Sequence, residues 1–448
     1  MNALFHELSL IFDNQDLKER CKWILKIDIE ALKKFYNFSY DLIDLTVQAL
    51  EDLKENFEYI EEIKSFNQLK VLNAFHHSRL SYTHLNKTDG YGYSDSGRDV
   101  IEKIFAQVFG CEDALVRIQF ISGTQAIATM LFALLRPGDT LLSICGKPYD
   151  TLQKVIGIKE GGHGNLIEFG IRYQEIDLKN NDFDFRKIES TLKENFIKVV
   201  FIQRSRGYSL RESIPIGKLG KVIRFIKDIS PQTVIVVDNC YGEFVEKLEP
   251  TEVGADLIAG SLIKNPGGTI TSCGGYIAGK KELVEMCADR LNSPGMGKEV
   301  GPSLGFNKEI LQGLLFSPHI VAESLKVAVF TSYIMEKLGY EVLPKFDEKR
   351  TDIIQIIVFK NEYELVRFCQ GVQKGCPVDS NVLPEAWDMP GYSHKVIMAA
   401  GGFVQGTSSE LSCDAPIREP YAAYLQGSSS FEIGLVGILH AIENIRRM

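Results

Sequence analysis

Four apolar runs crowd into fewer than a hundred residues of this chain: KVVFIQRS (198–205), TVIVVDNC (233–240), ADLIAGSL (255–262) and GGYIAG (274–279). None alternates apolar with polar residues, so each needs cover on both faces. That is the pattern of a strand inside a mostly parallel sheet sandwiched by helices. The linking segments agree, because Ile216–Ile229 has helical periodicity. Upstream, Ala114–Ile121 and DTLLSIC (139–145) read as further strands, the first running directly into the apolar helix of SGTQAIATMLFALL. The fold class expected is therefore α/β, a mostly parallel sheet flanked by helices.

Two further regions attach to this core. Residues 1–75 contain no glycine and no proline, and Leu32, Phe35, Leu42, Leu45 and Leu53 recur at helical spacing. Two or three helices are expected, packing as an arm on the body or on a partner subunit. A polar, aromatic, Gly-containing loop follows at 80–98, then a helix at Asp99–Phe109. After the sheet, Pro318–Leu338 reads as a long helix. DIIQIIVF then reads as a strand, 365–372 as a helix, KVIMAAGGFVQG as strand-like pieces and Ile433–Arg447 as a final helix. The expected division is a helical arm at 1–85, a large domain at 86–325 and a smaller α+β domain at 326–448.

Charge and cysteine usage narrow the function classes. Fifty Lys+Arg against 59 Asp+Glu give a net charge of -9. A general nucleic-acid binder would show a basic excess, so no nucleic-acid partner is expected. The nine cysteines form no CxxC, and their number is odd. They read as single thiols of a reducing compartment. The first residues lack the basic start of a signal peptide, and no run approaches the ~18 apolar residues of a membrane span. A cytoplasmic location without membrane contact is the expectation.

Three features recur at the places where such sheets hold ligands. Ser122-Gly123-Thr124-Gln125 lies between a strand and a helix, a turn whose free N–H groups and dipole suit a phosphate. Asp238 ends an apolar strand, where α/β folds put their binding groups. Lys264 lies 26 residues beyond Asp238, after another apolar run and before Asn265-Pro266-Gly267-Gly268. Each alone is compatible with a cap or a surface charge. Together they are the protein's share of a pyridoxal phosphate site: a phosphate cradle, a carboxylate for the pyridine nitrogen and a lysine for the aldehyde.

Several stretches carry a family resemblance: GYGYSDSGRDVIEKIFAQVFG, ISGTQAI, GKPYDTL, FIQRSRGYSLRESIPI, VVDNCYGEFVE, GSLIKNPGGTITSCGGYIAG and FVQGTSSELSCDAPIREPYAAYLQG. Running from about 90 to 426, they resemble the fold type I pyridoxal phosphate enzymes, of the aspartate aminotransferase type. Within these they are similar to the cystathionine/methionine γ-lyase group, and nearest its bacterial aluminium-resistance, cystathionine β-lyase-like branch. The resemblance implies a seven-stranded sheet and a homodimer or homotetramer with shared active sites. It also implies that Lys264 holds the cofactor as an imine and shuttles the Cα proton. Asp238 would pair with the pyridinium nitrogen. Gly123 and Thr124, after Ser122 and together with Ser261, would bind phosphate. Tyr149 would stack on the ring, and Gln203 would face the ring hydroxyl.

The family's Tyr-x-Arg segment, which reaches the neighbouring subunit's phosphate, corresponds to Tyr91–Arg98. The spacing here is longer, so either Tyr91 or Tyr93 would serve beside Arg98, with a catalytic part for Tyr93. Arg418, in APIREPY of the C-terminal domain, would take the substrate carboxylate bidentately, with Arg204 and Arg206 as rivals.

The activity implied is a pyridoxal phosphate-dependent carbon–sulfur lyase, eliminating at Cβ or Cγ of a sulfur-containing amino acid. The alternatives are another reaction on the same cofactor, an aminotransferase or aldol-type cleavage, and a non-catalytic stress-response protein that keeps the fold. His76-His77 has no third ligand nearby, so no metal is assigned. Cys240 and Cys273 read as small buried hydrophobes, and GGHG at 161–164 as a loop.

Overall fold

The computed structural model describes residues 27–160, 162–389 and 392–446. Expectations for the first 26 residues, for Cys21 and for Gly161 in the GGHG loop fall outside these.

A seven-stranded sheet forms the centre. Its strands are β1 (Asp113–Arg117), β2 (Thr140–Ser143), β3 (Arg172–Glu175), β4 (Val199–Gln203), β5 (Val234–Asp238), β6 (Leu257–Ser261) and β7 (Gly275–Gly279), in the order β1-β7-β6-β5-β4-β2-β3. The pairs β2/β3, β2/β4, β4/β5 and β5/β6 are parallel, and β7 runs antiparallel to both its neighbours. Strands β2, β4, β6 and β7 are buried along their whole length, as unbroken apolar runs require. Edge strand β3, RYQE, is half exposed and carries no such run, which is why the sequence conceals it. The parallel register brings Gln203 beside Asp238, and Asp238 beside Ala259. Side chains at the carboxyl ends of β4, β5 and β6 therefore share one edge of the sheet.

Helices cover both faces. They include α4 (Ser96–Val108), α5 (Gly123–Leu134), α6 (Asp150–Ile156), α7 (Phe185–Glu194), α8 (Ile216–Ile229) and α9 (Lys281–Leu291). Three helices precede them: α1 (Ile29–Phe35), α2 (Tyr40–Asp52) and α3 (Lys54–His77). Leu42, Leu53, Phe57, Ile60, Val71 and Ala74 of this arm join the main apolar core, whereas Phe35 is exposed. The arm thus packs on the body of its own chain. Polar clasps fix it there, Tyr333 donating to Asp52 and Lys326 pairing with Glu61.

Helix α10 (Asn307–Lys337) begins eleven residues before the expected start at Pro318 and carries that proline inside it. Proline removes one N–H from the ladder, but here it is buried, and Ser317 bonds back to the carbonyl of Gly313 at 2.8 Å. Among the described residues α10 is the one helix long and apolar enough to cross a bilayer. Most of that length is buried in the fold. It also runs through the domain boundary expected at 325.

The C-terminal region builds a five-stranded antiparallel sheet, β10-β11-β12-β9-β8. Its strands are β8 (Glu341–Leu343), β9 (Gln355–Val358), β10 (Val396–Ala400), β11 (Ser412–Pro416) and β12 (Ala422–Gln426), backed by α11 (Glu362–Gly375) and α12 (Phe431–Arg446).

Candidate active site

A cavity of about 330 Å3 opens at the carboxyl ends of β4, β5 and β6. Ser122, Gly123, Thr124, Tyr149, Gln203, Asp238, Ser261 and Lys264 all line it. Side chains from the second sheet close the opposite side.

Lys264 follows β6 by three residues. The turn behind it, Asn265–Gly267 with Gly268 in the left-handed region at φ 51°, seats on α10. A Cβ on Gly268 would meet the backbone of Gly313, and one on Gly313 would meet that of Gly267. Three glycines let the turn touch the helix backbone, and the lysine is aimed into the cavity as a result. Its Nζ lies 3.7 Å from the centre of the Tyr241 ring. Burial favours the neutral amine, but Tyr241, Cys240 and Asp238 favour the cation and raise it above the usual lysine range.

Asp238 is 4% exposed. Its Oδ1 accepts the backbone N–H of Cys240 at 3.1 Å. Burial pushes its carboxyl up, with the charge of Lys264 and the Cys240 hydrogen bond pulling it back down. A buried carboxylate in this state suits a cationic ring nitrogen as its counter-charge.

At the start of α5, Ser122 caps the helix by accepting the N–H of Gln125 at 3.1 Å. Gly123 and Thr124 follow, with first-turn N–H groups that have no carbonyl to bond within the helix. A Cβ on Gly123 would lie 3.0 Å from that of Ser261 and 3.5 Å from Cys240 Sγ. The strand-end serine and the helix start are thus packed against each other at the glycine, leaving a small polar cradle that fits a phosphate. Tyr149 donates its hydroxyl to Thr124 Oγ1 at 2.9 Å.

Gln203 lines the cavity, and its amide is also bonded within the protein. Its Oε1 accepts the Tyr149 N–H at 2.8 Å, and its Nε2 donates to Ser205 O at 2.9 Å. It orients Tyr149.

All four arginines named from the sequence have partners within the chain. Arg98 is buried within its own chain, donating to the carbonyls of Gly92 (2.8 Å) and Gly301 (3.2 Å). These bonds tie down the loop that presents Tyr91 and Tyr93. Those two rings stack on each other at 5.4 Å, exposed and away from this chain's own cavity. Arg418 lies outside the cavity lining and donates to Tyr208 O at 3.2 Å. Its rival Arg204 is fully buried and spent on Asn239, Gly242 and Glu246. Arg206 pairs with buried Asp352 at 3.5 Å. Among the described residues no arginine lines the cavity.

Sequence reasoning passed over Tyr241, Tyr208, Tyr392, Tyr424, Gln426 and Asp414, all in the lining. Tyr241 carried one usable signal, its place three residues after Asp238. Its backbone sits at φ 71°, a strained conformation for a bulky residue. Cys240, expected as a small buried hydrophobe, is buried and also touches the cavity. His77 bonds the carbonyl of Asn73 at its helix end.

A lysine after β6, a strand-end carboxylate and a helix-start anion cradle on this sheet define a fold type I pyridoxal phosphate enzyme. Comparison with known proteins narrows the class. The methionine gamma-lyase family model matches residues 42–446. The Bacillus subtilis protein YnbB is 47% identical over 408 residues, covering 90% of this chain and 97% of that protein. A Clostridium novyi carbon-sulfur lyase involved in aluminum resistance is 48% identical. Its structure superposes with a TM-score of 0.89, covering 94% of this chain and 100% of that one. A Clostridium acetobutylicum structure reaches a TM-score of 0.90 at 47% identity, covering 94% and 99%. The chain belongs to the methionine gamma-lyase family, in its aluminium-resistance branch, and is a pyridoxal phosphate-dependent lyase of the carbon–sulfur class.

Proposed function

We propose that Lys264 is the catalytic base of an elimination that releases a thiol from Cβ or Cγ of a sulfur-containing amino acid. The observation that carries this reading is the convergence of Lys264, Asp238 and the Gly123–Thr124 helix start on one cavity. Bound there, pyridoxal phosphate supplies the electron sink for a carbanion at Cα. Lys264 Nζ takes the Cα proton and, for a leaving group on Cγ, a Cβ proton as well, and returns a proton to the departing sulfur. Asp238 keeps a proton on the ring nitrogen through its buried carboxylate. Gly123, Thr124 and Ser261 would hold the phosphate, and Tyr149, pinned by Thr124 and Gln203, would stack on the ring. The unsaturated amine left after the thiol departs is hydrolysed by one water to a 2-oxo acid and ammonia. Incubating the protein with cystathionine and with methionine, and assaying thiol and 2-oxo acid together, tests the reading. Formation of a 2-oxo acid without thiol would replace it with transamination.

Assembly belongs to the same proposal. Tyr91 and Tyr93 are exposed on a loop that Arg98 holds rigid, which supports a two-fold dimer in which they complete the partner's phosphate site. Mixing inactive Lys264→Ala protein with a Tyr91→Ala/Tyr93→Ala variant, then unfolding and refolding the pair, is expected to restore part of the activity. A cytoplasmic location is supported by eight free cysteines among the described residues.

A further inference from the structure

The cavity wall facing Lys264 contains an acid that the chemistry above does not use. Asp414, on β11, receives a hydrogen bond at Oδ2 from Gln426 Nε2 at 3.2 Å. Its Oδ1 is buried and has no hydrogen-bond partner. Burial pushes the carboxyl up to about 6, with a hydrogen bond from the Tyr208 hydroxyl, the charge of Lys264 and the Gln426 hydrogen bond pulling the other way. Tyrosines gather around it. The Tyr208 ring lies 5.4 Å from that of Tyr392 and 5.1 Å from that of Tyr424, and all three line the cavity with Asp414.

Charge accounting in this cavity is simple. Of the other acids in the lining, Asp150 pairs with Lys159 at 2.9 Å, and Asp238 lies on the cofactor side. Lys264 is the one cationic side chain in the lining among the described residues. Once the cofactor engages Lys264 and Asp238, the Asp414 carboxylate is left facing the substrate without a cation. A plain thioether tail would leave its charge buried without a counter-charge, which is costly. An ammonium group would satisfy the free oxygen, and the tyrosine faces would add cation–π attraction.

We propose that Asp414, ringed by Tyr208, Tyr392 and Tyr424, is a specificity-determining residue that holds an ammonium group beyond the sulfur atom of the substrate. The preferred substrates are then thioether amino acids with a second, cationic nitrogen. The inference rests on the lyase reading of the site, and the test separates the two.

Two matched pairs isolate the distal charge. S-(2-aminoethyl)-L-cysteine and S-propyl-L-cysteine differ only in an ammonium against a methyl group, and their thiol release is compared as kcat/KM. L-Lysine and L-2-aminoheptanoate are the corresponding compounds without sulfur, so they release no thiol. Their dissociation constants with the holoenzyme are measured by calorimetry. The proposal expects the cationic member of each pair to be favoured at least roughly tenfold, as for a desolvated charge pair. In Asp414→Asn the ratio should fall to within about threefold of one, while Asp414→Glu keeps the cationic preference. Equal or reversed ratios in the wild-type protein would overturn the proposal, whether or not the variants fold. If lysine binds preferentially but neither cysteine thioether releases thiol, the elimination reading fails and the ammonium site stands. If thiol is released equally from both and the two analogues bind equally, the reverse holds.

Discussion

The two walls of the active-site cavity are built on different principles. The wall we assign to the cofactor uses residues at strand ends and one helix start, all at one edge of the large sheet: Gly123, Asp238, Ser261 and Lys264. Their positions follow from register and from glycine-mediated close packing. The substrate wall is assembled from separate segments around the second sheet, with Ile354, Tyr392, Gly406, Asp414 and the β12 pair Tyr424 and Gln426 arriving from five different strands or loops. One wall is fixed by the fold common to many pyridoxal phosphate enzymes. The other can change by loop and side-chain substitution without disturbing it, which is where a family would vary its substrates.

The comparison predicts effects of very different size. Lys264→Ala should abolish turnover, measured as 2-oxo acid release, because no second amine lines the cavity among the described residues. Asp238→Asn should lower kcat by roughly 10²–10³, the range for removing a group that stabilises developing charge, with the fold intact by circular dichroism. Gly123→Ala should weaken cofactor affinity by about tenfold or more, since its Cβ would crowd Ser261 at 3.0 Å. Equilibrium dialysis of the cofactor measures this directly. Arg418→Ala touches the other wall. It removes support from the Tyr208 carbonyl and should raise KM several-fold, leaving cofactor affinity unchanged. Loss of cofactor from that variant would mean that the two walls are not independent.

The smallest effect concerns stability beneath the cofactor wall. Glu243 is fully buried, with one oxygen held by the Tyr276 hydroxyl at 2.7 Å. Burial is the main cause that pushes its carboxyl up to about 8. In the folded protein it therefore keeps its proton between pH 4.5 and about 8, where the unfolded chain has lost it. Folding stability should fall as pH rises through that window. Glu243→Gln should flatten the dependence, read as a smaller decline in Tm between pH 5 and pH 8.

The same contrast explains what could be read from the sequence. Strands β4, β5, β6 and β7 announced themselves because they are buried on both faces, and Ile216–Ile229 because its apolar stripe faces the sheet. Edge strand β3 did not, being half exposed. Strands β11 and β12 are short and lie on either side of a proline-containing turn. The start of α10 was misplaced because Pro318 reads locally as a beginning, whereas burial and the Ser317 back-bond accommodate it within the helix. The cofactor wall was legible because each of its groups follows a strand or opens a helix. Asp414 and its tyrosines were not, since nothing local distinguishes them from an ordinary strand and loops. The surroundings of the arginines were hidden for a related reason. A guanidinium is recognisable in sequence, but whether it faces a ligand or a backbone carbonyl depends on contacts such as those of Arg98 with Gly92 and Gly301.

The central claim is that Lys264 is the residue that carries the cofactor. Borohydride reduction of the holoenzyme, followed by proteolysis and mass analysis, fixes the cofactor to whichever lysine holds it. The account predicts one pyridoxyl-modified peptide, containing Lys264. Modification at Lys147 or Lys280, with Lys264 unlabelled, would contradict it.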